Sequence, residues 1–201
     1  MIKAKIAVLV SGGGTNLQAL IDAQNSGIIK SGEISLVISN KPDAYALTRA
    51  KNANIDTLVI EKAGNAEKFE SEIIKALEDN KIDLIVLAGF MCILSERFTS
   101  RFANRILNVH PSLIPSFCGA GFYGLKVHEA ALGYGVKVTG ATVHFVNEIP
   151  DGGKIILQKA VEILDGDTPE VLQKRVMEQA EWKILPEATE MVAKQICEKG
   201  E

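Results

Sequence analysis

Asn108, Val109 and His110 close a short apolar run, and Pro111 stops it. In a strand, residues 108 and 110 point to the same side, because side chains alternate. An amide N–H₂ and an imidazolium N–H on one side can both donate to one oxygen. Such a donor pair suits a carbonyl oxygen that becomes negative under attack, which is acyl-transfer chemistry. Taken alone, His110 fits a structural or a catalytic role equally. Asp151, in Asn-Glu-Ile-Pro-Asp-Gly-Gly (147–153), offers a partner. One reading is turn chemistry, since Asp-Gly favours hairpins. The other is a carboxylate beside the imidazole, raising its pKa into the range useful for acid–base work.

The remaining reactive side chains are weaker candidates. His128 falls on a short helix and reads as a surface residue, and His144, between Val143 and Phe145, reads as a hydrogen-bonded sheet histidine. Cys118 in Ser-Phe-Cys-Gly-Ala-Gly-Phe could be a nucleophile with His110 as its base, although nothing nearby marks it as activated. Ser11 and Ser112 lack a Gly-x-Ser-x-Gly elbow. No ligand cluster calls for a metal.

A second chemistry lies at the start. Val-Leu-Val-Ser-Gly-Gly-Gly-Thr-Asn-Leu reads as strand, glycine turn and helix. Free N–H groups around Gly14, Thr15 and Asn16, with the helix dipole behind them, form an anion site. The Gly-Lys-Ser/Thr of a nucleotide triphosphate loop is absent. The second strand ends in Ser39-Asn40, without the acidic residue that a dinucleotide ribose needs. A monophosphate on a small substrate fits best; a plain strand–helix turn is the alternative.

These residues need a frame. β-Branched runs at 5–10, 34–39, 57–60, 84–87 and 106–109 read as buried strands, separated by helical stretches at 16–25, 44–54, 66–80 and 95–102. The pattern implies parallel strands with right-handed crossovers. After a loop at 111–124 and a short helix at 127–132, two alternating runs at 138–146 and 154–163 read as antiparallel strands. Thr168 and Pro169 then cap a helix whose stripe is Leu172, Val176, Ala180, Ile184 and Ala188. The predicted fold is α/β: an open Rossmann-like, mostly parallel sheet with helices on both faces, extended by antiparallel strands in the C-terminal half. Residues 1–201 are expected to form a single domain.

Composition narrows the function. The 201 residues are 47% hydrophobic and 23% charged, with a net charge of −3. A sequence pI of about 5.7 argues against a nucleic-acid partner. No apolar run approaches the ~20 residues that span a bilayer, so no membrane role is expected. The apolar start reads as the first strand rather than a leader, and the protein is expected to be cytoplasmic. Cys92, Cys118 and Cys197 are scattered, suggesting neither a disulfide framework nor a zinc site.

With these motifs in order, a resemblance becomes specific. Ser-Gly-Gly-Gly-Thr-Asn-Leu, Leu-Ala-Gly-Phe-Met-Cys-Ile-Leu, Asn-Val-His-Pro-Ser-Leu-Ile-Pro-Ser-Phe, Thr-Val-His-Phe-Val, Asp-Gly-Gly-Lys-Ile-Ile-Leu-Gln and Ala-Glu-Trp-Lys-Ile-Leu-Pro occur in sequence. Together they resemble the formyltetrahydrofolate-dependent formyltransferases, and among them the glycinamide ribonucleotide transformylases, over residues 3–193. The resemblance implies transfer of the formyl group of 10-formyltetrahydrofolate to the amine of 5-phosphoribosylglycinamide, in de novo purine synthesis. It implies catalytic roles for Asn108, His110 and Asp151, a substrate phosphate loop at Gly14, Thr15 and Asn16, and ribose binding by Glu181. It places a folate pocket at Met91, Cys92, Ile93 and Leu94, and at Asn147, Glu148, Ile149, Pro150 and Asp151. The cosubstrate is then formyl folate, with no metal. The partners are small molecules, and a homodimer is compatible with the family.

Family members can carry Arg where this chain has Cys92. Upstream of Glu181 the resemblance runs with a one-residue offset, so Met177 and Glu178 receive no role, and Trp182 is assigned to packing. A methionyl-tRNA formyltransferase is expected to need a further C-terminal domain, and a deformylase an N-terminal regulatory one, for which this length leaves no room. Three activities stay open: direct formyl transfer, a hydrolase or covalent acyltransferase using Cys118 (a formyl folate deformylase among them), and a non-catalytic nucleotide-binding module.

Overall fold

The strands form because their apolar runs can be covered on both faces. In β1 (Ala4–Val10), Ile6, Val8 and Val10 face one cluster, and Ala7 and Leu9 face another. The computed structural model describes residues 3–199. Its elements follow in order: α1 (Thr15–Asn25), β2 (Gly32–Ser39), α2 (Tyr45–Asn52), β3 (Asp56–Val59), α3 (Ala66–Asp79), β4 (Leu84–Leu87), α4 (Glu96–Arg101), β5 (Ile106–His110), α5 (Leu125–Tyr134), β6 (Val138–Phe145), β7 (Ile155–Glu162), α6 (Pro169–Val176), a π-helical turn (Met177–Glu181) and α7 (Trp182–Lys199). The seven strands lie in the order β3-β2-β1-β4-β5-β6-β7. β1 to β5 pair in parallel, and β6 and β7 extend the sheet antiparallel, as the sequence pattern predicts.

The strand order reverses beside β1, whose neighbours are β2 and β4. In open α/β sheets, such a switch point opens a crevice beyond the carboxyl ends of the strands. The glycine loop follows β1 there, and the segment beginning at Ala88 follows β4. Ser11 ties them, its Oγ accepting from the Met91 N–H at 2.9 Å. β5 ends two strands from β1, about 10 Å away at the usual inter-strand spacing.

One apolar layer holds Leu17, Leu20 and Ile21 of α1 and Ile184, Leu185 and Ala188 of α7. The opposite layer holds Phe69, Ile73 and Leu77 of α3 and Phe98 of α4. Several helix starts are fixed by side chains: Asn65, Ser95 and the predicted Thr168 each accept a backbone N–H of the first turn.

The stripe from Leu172 to Ala188 is buried throughout. On an unbroken α-helix, a repeat of four residues drifts by about 40° per step, or about 160° over that span. The π-helical turn at Met177–Glu181 takes up one residue, about 100° of that drift.

Candidate active site

β5 carries Asn108 and His110 on the face of Ile106, with Leu107 and Val109 packed into the opposite layer. β6 lies alongside with Asn108 opposite His144 and His110 opposite Thr142, so all four side chains share one face. The loop after β6 then folds back. Asp151 sits at φ 56°, in the left-handed region. Gly153 passes so close to β6 that a Cβ there would lie 1.7 Å from the Phe145 carbonyl oxygen. Gly153, two residues after Asp151, therefore permits the close approach that swings Asp151 over the strand ends.

The result is a continuous chain of polar contacts. Asn108 Nδ2 lies 3.2 Å from His144 Nε2. His144 Nδ1 is 2.8 Å from the Phe145 carbonyl, an acceptor, so Nδ1 carries the proton and Nε2 accepts from the amide. Asp151 bridges the two rings, with Oδ1 3.6 Å from His144 Nε2 and Oδ2 3.5 Å from His110 Nδ1. Both are ion-pair distances rather than full hydrogen bonds. Asp151 Oδ2 also accepts the Gly119 N–H at 2.8 Å. On the far side of its ring, His110 Nε2 donates to the Phe117 carbonyl at 2.8 Å.

The electrostatics set two groups against each other. Burial pushes His110 below the ordinary imidazole value; the Phe117 carbonyl and Asp151 carboxylate pull it back up, and His144 adds a further downward push. The sequence reading that the carboxylate raises His110 is therefore right for that contribution and overturned for the sum. Burial pushes Asp151 up, but the His144 ring, the Gly119 N–H and the neighbouring His110 outweigh it and hold the carboxyl low.

Two other sequence readings change. His144 is hydrogen-bonded as expected, yet it also belongs to this cluster. His128 is fully buried rather than on the surface, with no partner for either ring nitrogen among the described residues. Burial and the nearby His110 push it down to about 4. The signal was its place three residues before Ala131, on the buried stripe of α5. Burial and the Asp151 charge push the Cys118 thiol up, the wrong direction for a nucleophile.

The loop at 111–124 is built onto the site. Thr142 Oγ1 donates to the Ser112 carbonyl and accepts from the Ile114 N–H. Its outer part is held by His110 through Phe117 and by Asp151 through Gly119.

At the switch point, Gly14 caps α1 at φ 72°, and a Cβ there would lie 2.6 Å from the Ala46 Cβ. Only glycine fits this conformation against α2. The first N–H groups of α1, from Thr15 and Asn16 on, have no helical acceptor. Asn16 Nδ2 donates to Glu181 Oε2 at 2.8 Å, bringing the predicted ribose-binding carboxylate beside the loop. Burial pushes Glu181 up, opposed by Asn16. Asn16 Oδ1 is buried without a hydrogen-bond partner among the described residues.

The residues assigned to the folate pocket divide. Met91 and Ile93 are exposed, Ile93 at 76%. Leu94 is turned into the core with Phe90 and Phe98. Cys92 packs on that same core and accepts from Asn40 Nδ2 at 3.3 Å; Val146, just before Asn147, packs there too. Asn147, half-buried, accepts the Ile149 N–H at 3.0 Å in a local turn, whereas Glu148, Ile149 and Pro150 are exposed. A cavity of about 690 Å³ lies instead between α1 and α7, lined by Gln18, Trp182 and Pro186. It does not contain the Asn108–His110–Asp151 cluster.

Comparisons with known proteins bear on this geometry. A family model described as formyl transferase matches residues 4–189. A phosphoribosylglycinamide formyltransferase of Haemophilus influenzae is 48% identical over 90% of this chain and 84% of its own length. The human trifunctional purine biosynthetic protein adenosine-3 is 47% identical over 99% of this chain, which spans 19% of that protein's length. The crystal structure of glycinamide ribonucleotide transformylase 1 from Symbiobacterium toebii superimposes with a TM-score of 0.89, at 42% identity, covering 96% of this chain and 89% of that one.

Proposed function

This chain belongs to the formyl transferase family, and on that premise we propose that it transfers the formyl group of 10-formyltetrahydrofolate to the primary amine of 5-phosphoribosylglycinamide, a step of purine biosynthesis. The observation that carries the reading is the contact chain from Asn108 through His144 and Asp151 to His110, beyond the carboxyl ends of the central strands.

The glycine loop takes the phosphate through the N–H groups of Gly14, Thr15 and Asn16. Glu181 and the unpartnered Asn16 Oδ1 accept from ribose hydroxyls. The sugar and its glycinamide arm then run from the end of β1 toward the end of β5, about 10 Å on. Met91, Cys92, Ile93 and the loop at 147–151 flank the folate.

Holding both substrates in one crevice makes the attack effectively unimolecular. The amine nitrogen attacks the formyl carbon, and the carbonyl oxygen becomes an oxyanion. One Asn108 N–H is occupied by His144; the second is free to donate to that oxygen. The His110 Nε2–H is the other donor, and it must first leave the Phe117 carbonyl. The loop at 111–124 therefore shifts when substrate binds. Collapse breaks the bond between the formyl carbon and N10 of the folate. The attacking nitrogen loses a proton and N10 gains one, with the His110–Asp151 pair as the relay.

The partners are small molecules, and the reading places the enzyme in the cytoplasm. Among the described residues no helix is long and apolar enough to cross a membrane. The test is an assay with each substrate omitted in turn. Direct transfer gives tetrahydrofolate only when both are present. Formate and tetrahydrofolate without the amine would mean a deformylase. Binding of the phosphorylated substrate without turnover would mean a non-catalytic module.

A further inference from the structure

The glycine loop has two carbonyls held by α2. The Ala46 N–H donates to Gly12 O at 3.1 Å, and Arg49 Nε donates to Gly13 O at 2.8 Å. A trans peptide carries its C=O and N–H on opposite sides. The Gly12 carbonyl shares a peptide with the Gly13 N–H, and the Gly13 carbonyl with the Gly14 N–H. Drawing both carbonyls toward α2 therefore turns both N–H groups away from it.

The two peptides are held by different means. The first is fixed by backbone. The second lies between two glycines, where a flip meets little steric resistance, and among the described residues a side chain alone holds its carbonyl. That side chain is itself immobilised. Arg49 Nη1 donates to Gln18 Oε1 at 3.0 Å, and the guanidinium lies 5.0 Å from the Tyr45 ring centroid. Its Cδ would be 3.4 Å from a Cβ on Gly14, so arginine and loop are in direct apposition.

We propose that Arg49 is the positioning residue that sets the loop's affinity for a phosphate monoester, by holding the Gly13–Gly14 peptide with its N–H outward. Arg49 does not touch the ligand; it acts through the peptide, and its positive charge adds to the local potential. The inference rests on the reading of this loop as the phosphate site. Lysine is a poor replacement, because one ammonium cannot serve Gly13 and Gln18 in the planar geometry of the guanidinium.

The test uses full-length wild type, Arg49→Met and Arg49→Lys. Inorganic phosphate is titrated as a competitor of 5-phosphoribosylglycinamide, and KM is measured for both substrates. In Arg49→Met, the phosphate inhibition constant and the KM for the phosphorylated substrate should both rise about tenfold, the worth of one charge-assisted hydrogen bond. The KM for the formyl folate should move less than twofold, and Arg49→Lys should recover only part of the loss. A merely structural role would lower the melting temperature and leave the ratio of the two KM values unchanged, which overturns the proposal, as does a wild-type phosphate constant in Arg49→Met. Absence of phosphate competition in the wild type would instead remove the phosphate-loop reading itself.

Discussion

Asp151→Asn is the most informative perturbation, because it removes one charge and keeps the shape. The amide oxygen can still accept the Gly119 N–H, so the loop contact survives. What disappears is the negative charge 3.5 Å from His110 Nδ1. Two unit charges at that separation interact by about 5 kcal/mol at an effective dielectric constant near 20. Asp151 is partly open to solvent, so about half of that, or 2–3 kcal/mol, is a reasonable share. Burial already disfavours the His110 cation, and the carboxylate is the charge that opposes this. Without it, imidazolium becomes costlier just as the oxyanion develops. Turnover should fall about 100-fold, within the range of acid–base contributions. The KM for 5-phosphoribosylglycinamide should change less than about threefold, since the glycine loop and Glu181 are untouched. The pH profile adds a signed test. Removing an upward push lowers the pKa of His110, so the limb on which kcat falls with rising pH must move to lower pH. The assay is steady-state turnover across pH 5 to 9 with both substrates saturating. A variant with turnover within threefold of wild type and an unmoved limb would refute the carboxylate–imidazole relay.

Two further outcomes separate the alternatives and test the buried chemistry. Cys118→Ala should keep turnover within about twofold of wild type, because its thiol is pushed toward the protonated form and donates to the Pro115 carbonyl; collapse of activity in that variant would instead establish a covalent route. His128→Leu should flatten the acid limb of the stability curve. The folded pKa is depressed to about 4, so between the unfolded value near 6.5 and about 4 the unfolded chain gains a proton that the folded one refuses. That costs the wild type about 2–3 kcal/mol as pH falls through the window, and urea melts at pH 7 and 4.5 would show the loss in wild type and its absence in the variant.

How much of this was legible in the sequence depended on the range of the interaction. The parallel half of the sheet was readable because its strands are short apolar runs and its crossovers have helical period. Asn108 and His110 were readable because alternation fixes their common side and Pro111 ends the strand. The strand–turn–helix around the glycine loop was readable because three successive glycines let the backbone turn tightly after an apolar run. In each case, the cause lies within a few residues of its effect.

The features that escaped are set by pairings across the chain. His144 looked like an ordinary sheet histidine, and its bonds to Asn108 and Phe145 satisfy it as one. Only the β5–β6 register puts it opposite Asn108, and only the return of the chain past Gly153 puts Asp151 between the two rings. The sign of the His110 shift escaped for a related reason. A carboxylate neighbour can be guessed from sequence, but its effect is weighed against the burial of the whole strand end, which no local pattern reports. Arg49 sits 36 residues from the carbonyl it holds. Its type and position are unremarkable at the edge of a half-buried helix, and its meaning comes from the packing of α2 against Gly14, where a single added carbon would force the two apart. The chemistry of the site is thus written locally, in an amide, an imidazole and a glycine turn, while the protonation and orientation that would make it work are written in the tertiary contacts that surround it.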